Sequence, residues 1–197
     1  MKNLKGTKTL ENLMKAFAGE SQARNRYNYY ASIANKEGYK QIEAIFSETA
    51  DNEKEHAKRF FMLALEGMNG EIPADVDIAA TYPLAMRSTL ENLKYAAAGE
   101  NEEWSALYPE FARVAENEGF PEVAGAFKMI LKVEQRHEAR YLKLLANVSE
   151  GKVFKKDEVT YWICRNCGYV HEGKSAPEIC PACNHPQAYF EIFKENY

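Results

Sequence analysis

No run of apolar residues in this 197-residue chain is long enough to span a bilayer, and the opening Met1-Lys2-Asn3-Leu4-Lys5-Gly6 leads straight into polar sequence. Neither a membrane segment nor a signal peptide is expected. Basic residues are not in excess: 25 Lys and Arg stand against 29 Asp and Glu, a net charge of -4, which gives nucleic acid no electrostatic footing. Cysteine is absent until Cys164, and all four cysteines fall between Cys164 and Cys183 in two Cys-x-x-Cys pairs. That is metal-ligand spacing rather than a disulfide framework, and it fits a reducing cytoplasm. The length supports one sizeable core with a smaller appendage.

What the chain does have is a repeated Glu-x-x-His. Glu53-Lys54-Glu55-His56 is matched by Glu134-Gln135-Arg136-His137. Residues three apart share a helix face, so each motif presents a carboxylate beside an imidazole. The surrounding apolar positions define that face. Ile42, Phe46, Thr49, Glu53, His56, Phe60 and Leu63 form one stripe, and Val123, Phe127, Ile130, Glu134, His137, Tyr141 and Leu144 form another. Both motifs therefore point into a core, where an ionised carboxylate is costly unless it is paired or binds metal. One motif could be a buried hydrogen-bonded pair; two in identical phase favour metal.

The same spacing predicts four long helices, over about 9–36, 40–66, 84–117 and 121–148, with Gly38 and Gly119 placed as terminators and Pro121 in a first turn. The first carries the stripe Leu10, Leu13, Phe17, Glu20, Arg24, Tyr27, Ala31 and Ala34. The third carries Leu90, Leu93, Ala97, Glu100, Trp104, Leu107, Phe111 and Val114. A connection from Glu71 to about Pro83 is too long for a tight turn.

The halves repeat: Ala16-Phe17-Ala18-Gly19-Glu20 returns as Ala96-Ala97-Ala98-Gly99-Glu100. Glu20 and Glu53 are 33 positions apart but Glu100 and Glu134 are 34, so the second copy has one extra residue between Glu100 and Gly119. Long helices often absorb such a residue as a π-bulge beside a functional site.

A duplicated helical hairpin with a long crossover predicts an all-α four-helix bundle of the ferritin-like kind, over residues 1–150. In that architecture two helices each give a Glu and two each give a Glu-x-x-His, here Glu20, Glu100, Glu53/His56 and Glu134/His137. Mixed carboxylate and imidazole ligands suit a pair of iron or manganese ions, with Glu53 and Glu134 bridging and Glu20 and Glu100 terminal. Glu103 lies near the same face, although periodicity alone reads it as a solvated helix residue.

After a polar linker at 151–158, residues 159–197 lose helical periodicity and form a small, mostly β, metal-knuckle domain. Cys164, Cys167, Cys180 and Cys183 would hold zinc or a single iron, and spacing does not choose between them. The redox-suited site upstream favours iron. His171 and His185 have no ligand-like spacing and are read as surface histidines.

At this level of detail the chain resembles the rubrerythrins, a ferritin-like di-iron domain followed by a rubredoxin-like domain. The likeness is carried by Ala18-Gly19-Glu20-Ser21-Gln22-Ala23-Arg24-Asn25-Arg26-Tyr27, Glu53-Lys54-Glu55-His56-Ala57-Lys58-Arg59, Gly99-Glu100 with Glu103, Glu134-x-x-His137, and Cys164-Arg165-Asn166-Cys167-Gly168-Tyr169. The resemblance implies a fifth carboxylate at Glu103, which holds one iron when oxidised and cedes it to His56 on reduction. It also implies hydroxyls of Tyr27 and Tyr108 near the irons. Both tyrosines could equally be core filling.

The implied function is peroxidase: hydrogen peroxide reduced to water, with electrons from a reduced-nicotinamide-dependent reductase or a rubredoxin entering through the four-cysteine iron. A head-to-tail homodimer is implied as well. Rival readings are a dioxygen reductase, a ferroxidase or iron store, and a structural bundle bearing a zinc-ribbon binding module. A store has no need of an electron inlet, and the red colour of iron–thiolate separates the zinc-ribbon reading.

Overall fold

The structure is a computed structural model describing residues 2–196; Met1 and Tyr197, the outer edges of the two expected domains, lie outside the described residues. Helix α1 spans Lys8–Lys36 and α2 spans Lys40–Gly67. The third rod is α3 (Thr89–Glu102), a π-turn (Glu103–Leu107) and α4 (Tyr108–Glu118), without a break in direction. Helix α5 spans Pro121–Ser149. The result is a ferritin-like four-helix bundle. Among the described residues, no helix is long and apolar enough to cross a membrane.

Local chemistry sets the boundaries. Thr7 caps α1 by accepting from the Leu10 N–H at 3.1 Å. The Glu118 carboxylate at the end of α4 accepts from the Lys8 and Thr9 N–H groups at 3.1 and 2.8 Å, so one helix end supplies the other's missing partners. Gly119 closes α4 at φ 85°, a left-handed conformation open to glycine.

The third rod begins five residues later than its expected start at 84. Residues 71–87 are almost wholly irregular, with Leu84 fully exposed. Ser88 is the reason: its hydroxyl oxygen accepts from Glu91 N–H, and the Asn92 side chain clasps both backbone groups of Arg87 at 2.8 Å. Asn92 thereby fixes the turn at the helix entrance.

The extra residue of the second half is the π-turn, and it shifts the phase of the rod. Past it the buried positions are Tyr108, Ala112 and Ala115, not the expected Leu107, Phe111 and Val114. Leu107 is left exposed. On α1, Ala23 takes the inward seat expected for Arg24, which faces solvent. The stripe on α5 is buried throughout.

Two apolar clusters fill the bundle. Leu4, Leu13, Phe60, Leu63, Phe120 and Phe127 lie toward one end, and Tyr30, Ile42, Phe46, Leu93, Tyr141 and Leu144 toward the other. Between them sits a polar layer built from Glu20, Glu53, Glu100, Glu134 and His137, none more than 4% exposed.

The C-terminal unit has strands β1 (Lys155–Cys164), β2 (Val170–Ser175) and β3 (Phe190–Ile192), in antiparallel order β2-β1-β3. Strand β1 starts inside the expected 151–158 linker, and its pairing with β2 is irregular between Lys155 and Thr160. Trp162 and Phe190 form the small core with Cys164 and Cys180. The unit rests on the bundle end, where Phe154 stacks on Tyr39 with ring centroids 6.2 Å apart and Lys156 Nζ donates to Asn147 Oδ1 at 3.0 Å.

Candidate metal centres

The polar layer contains two four-residue clusters with ligand atoms all within 4.8 Å of one another: Glu20, Glu53, His56 and Glu134, and Glu53, Glu100, Glu134 and His137. Glu53 and Glu134 belong to both. The clusters are related by a pseudo-two-fold that follows the sequence repeat. His56 Nδ1 lies 3.0 Å from Glu53 Oε2, 3.0 Å from Glu134 Oε1 and 3.8 Å from Glu20 Oε1. His137 Nδ1 lies 2.8 Å from Glu134 Oε2, 3.3 Å from Glu53 Oε1 and 3.7 Å from Glu100 Oε2. Atoms bound at about 2.1 Å to one ion and at right angles to each other are about 3 Å apart, which the shorter contacts to Glu53 and Glu134 match and the longer ones to Glu20 and Glu100 exceed.

The residues fit two cations on chemical grounds too. Glu20 Oε2, Glu53 Oε1, Glu100 Oε2, both Glu134 oxygens and His137 Nδ1 are buried and have no hydrogen-bond partner. A buried polar atom left unpaired costs about 1–3 kcal/mol, and more if charged. Six in one layer fit a site for cations.

The terminal carboxylates are held from across the bundle. Tyr27 on α1 donates to Glu100 Oε1 at 2.6 Å, and Tyr108 on α4 donates to Glu20 Oε1 at 2.5 Å. Each tyrosine leaves the second oxygen of its carboxylate free for a ligand bond. The phase shift of the π-turn brings Tyr108 to this position. Asn52, which the sequence reading passed over, lies with Oδ1 3.3 Å from His137 Nε2. An amide oxygen at that place can accept an Nε2–H and leave Nδ1 to the cluster. A polar residue beside Glu53 is too ordinary a signal to have marked it.

Without metal, the layer's electrostatics are sharply divided. Burial opposes ionisation of Glu53, but the neighbouring imidazoles of His137 and His56 outweigh it and take the pKa down to about 2. Burial, reinforced by the Glu53 charge, lifts Glu100 to about 8. Burial likewise raises Glu20 well above the ordinary carboxylate range. Burial disfavours His137 as a cation, yet the close carboxylates of Glu100, Glu134 and Glu53 carry it to about 12. His56 moves upward for the same reason, against burial and chiefly through Glu134, Glu20 and Glu53.

Glu103 is in neither cluster. It sits in the π-turn, half-buried, on the wall of a cavity of about 250 Å³ shared with Tyr108, Gly99 and Tyr82. Its pKa is raised, first by burial and then by the charge of Glu20.

The second centre is the C-terminal unit's. The Sγ atoms of Cys164 and Cys183 are 3.8 Å apart, and those of Cys167 and Cys180 are 3.7 Å apart. A tetrahedron of sulfurs about 2.3 Å from one ion has edges of about 3.8 Å, whereas a disulfide would require about 2 Å. Two equivalent knuckles build it. Gly168 N–H donates to Cys164 C=O at 2.8 Å, and Asn184 N–H donates to Cys180 C=O at 2.9 Å. Both residues have positive φ, 79° and 57°. Backbone N–H groups of Tyr169 and His185 point at the sulfurs of Cys167 and Cys183, and the His185 N–H pulls the Cys183 thiol down to about 6. His185 Nδ1 contacts the Cys183 carbonyl, and His171 lies on β2 opposite Trp162.

Fold and sites together define a ferritin-like carboxylate–histidine di-metal protein with an attached rubredoxin-like centre. Comparison with known proteins agrees. Residues 11–145 match the rubrerythrin family model, and residues 162–191 match that of the rubrerythrin rubredoxin-like domain. The chain is 62% identical to rubrerythrin-1 of Clostridium acetobutylicum over the full length of both, and 51% identical to rubrerythrin of Nitratidesulfovibrio vulgaris, again over both full lengths. A solved structure of partially reduced nigerythrin superposes with a TM-score of 0.63 at 31% identity, covering 98% of this chain and 92% of that one. Bacterioferritin of Desulfovibrio desulfuricans, at 22% identity and TM-score 0.65, covers 74% of this chain and 82% of its own, and shares the bundle fold. The chain belongs to the rubrerythrin family.

Proposed function

We propose that this protein is an oxidoreductase that reduces hydrogen peroxide to water. The observation that supports it best is the joining of two unlike centres in one chain: a single-ion thiolate site suited to taking electrons one at a time, and a paired site suited to spending two. The balance is H₂O₂ + 2 e⁻ + 2 H⁺ → 2 H₂O. Two irons held by Glu20, Glu53, His56, Glu100, Glu134 and His137 supply the Lewis acidity and the two electrons. Cys164, Cys167, Cys180 and Cys183 hold the third.

The remaining work falls to the side chains. Tyr27 and Tyr108 keep Glu100 and Glu20 turned so that one oxygen of each faces the pair. The cavity wall formed by Glu103 and Tyr108 leaves room for a molecule the size of peroxide. Glu103 holds a proton beside that cavity more readily than a solvated carboxylate does, because burial and the Glu20 charge favour its neutral form. Glu103 is thus the proton relay, and as the fifth carboxylate it exchanges roles with His56. His56 belongs to one of the two four-residue clusters and Glu103 to neither.

The electron donor is a reductase or a rubredoxin, the setting is cytoplasmic, and the assembly is a head-to-tail homodimer of units spanning residues 1–150 and 159–197. Arg165 and Asn166 of the first knuckle share a cleft with Lys40, Glu43 and Ser47 in the opening turns of α2, so the C-terminal unit meets its own bundle at that end.

The test is anaerobic stopped-flow on the fully reduced protein, following the iron–thiolate absorbance with equal peroxide or dioxygen. Fast return with peroxide and slow return with dioxygen supports the proposal. Faster return with dioxygen makes the protein an oxidase, and no absorbance to follow makes the C-terminal unit a zinc ribbon. If recovery is independent of protein concentration down to verified monomer, the partner-subunit route is refuted.

A further inference from the structure

The π-turn is anchored from one side. Glu138, the residue after His137 on α5, accepts from Asn101 Nδ2 at 3.0 Å through Oε1 and from Trp104 Nε1 at 2.5 Å through Oε2. Asn101 lies in the last turn of α3 and Trp104 inside the π-turn, so one carboxylate spans the point where the extra residue enters. Glu102 and Glu103 lie between the two donors. The widened turn itself is marked by the Tyr108 N–H donating five residues back, to the Glu103 carbonyl. Trp104 and Glu138 are both half-buried.

A π-bulge forfeits regular i→i−4 bonding, and nothing in a plain helix fixes which residue is the extra one. Moving it by one position turns the residues it passes by about 100° around the axis. The Glu138 bonds remove that freedom. With the indole N–H committed to α5, the preceding side chain, Glu103, is directed away from α5's outer face and into the cavity beside Tyr108.

We propose that Glu138, acting with Trp104 and Asn101, is a positioning residue that pins the π-turn in register and so aims Glu103 at the di-metal site. Only the assignment of Glu103 as a metal-facing carboxylate rests on the proposed function; the pinning of the turn does not.

The test uses the full-length protein with Zn²⁺ in the four-cysteine site and Fe³⁺ in the bundle site, the oxidised state in which Glu103 faces the metal, read by its charge-transfer absorption, together with amide exchange over 103–108. Trp104→Phe keeps the ring and loses the donor; Glu138→Gln keeps an acceptor for one donor and loses the other; Glu138→Ala loses both. Exchange at 103–108 should quicken about tenfold or more in Glu138→Ala and Trp104→Phe, with Glu138→Gln intermediate. The Fe³⁺ spectra should move toward that of Glu103→Gln. In a Glu103→Gln background, Trp104→Phe should add no further spectral change, because the two substitutions act through one group.

Unchanged exchange in Glu138→Ala overturns the pinning. A Trp104→Phe spectral change that persists without Glu103 overturns the aiming. If Glu103→Gln leaves the Fe³⁺ spectrum unmoved, the metal-facing role of Glu103 fails while exchange still decides the pinning. Should Trp104→Phe not fold, the two Glu138 variants carry the same test.

Discussion

Loading the bundle site at pH 7 should expel at least about two protons per chain. In the metal-free layer Glu100 at about 8 and His137 at about 12 hold their protons at pH 7, and Glu20 and His56 are shifted in the same direction. A cation can bind those atoms only after each proton leaves, so Glu100 and His137 set the floor of about two. The assay is isothermal titration with Co²⁺ in buffers of widely different ionisation enthalpy, after the four-cysteine site has been filled. The slope of observed heat against buffer enthalpy gives the proton count.

Stability should follow the same linkage. Glu100 at about 8 and His137 at about 12 both lie above their unfolded values, so the folded metal-free protein binds excess protons from about pH 4.5 upward. The His137 contribution is complete below about pH 6.5 and is lost as pH rises toward 12; the Glu100 carboxylate becomes a burden as pH rises through 8. Both make the metal-free fold weaken with rising pH, by about 1.4 kcal/mol per pH unit for each excess proton. The loaded protein should lack this slope. A heat independent of buffer, or metal-free stability that is flat or rises between pH 5 and 9, would refute the reasoning.

Other outcomes follow from single contacts. Tyr108→Phe removes the donor to Glu20 Oε1 and should destabilise the metal-free protein by about 1–3 kcal/mol in denaturant unfolding. Gly67→Ala should cost about 1–3 kcal/mol, because the new Cβ would fall 2.1 Å from Leu4 Cδ1 in a filled core; thermal unfolding would show it. Cys164→Ser should abolish the iron–thiolate absorbance and the coupling of donor oxidation to peroxide loss, while the bundle's Co²⁺ spectrum stays as it was.

Sequence periodicity reached furthest where a helix is uninterrupted. On α5 every expected inward residue is buried, because nothing disturbs the repeat from Val123 to Leu144. On the third rod the extra residue was countable, but the side chains it redirects were not, so Leu107 was expected where Tyr108 sits. The third helix was expected from about 84, yet Ser88 and Asn92 start it later through hydrogen bonds that no hydrophobic pattern records. Arg24 lost its expected seat to Ala23, since the small side chain lets α1 approach its neighbours. Of the site, the six Glu and His residues of the paired clusters were legible from spacing. Asn52 was not, because one amide beside a ligand has no periodic signature. Glu103 stood out only through family likeness, since its orientation depends on a carboxylate 35 positions away, at Glu138.

The inserted residue also breaks a symmetry. In their carboxylate and imidazole donors, Glu20 with His56 and Glu100 with His137 make two matching half-sites. Placing one further carboxylate near the pair from a single helix makes the halves distinguishable. Two chemically identical ions entering such a pair would then bind in sequence, with two affinities and two spectra. A gene duplication that produced equal halves has, through one residue, yielded a site with a front and a back.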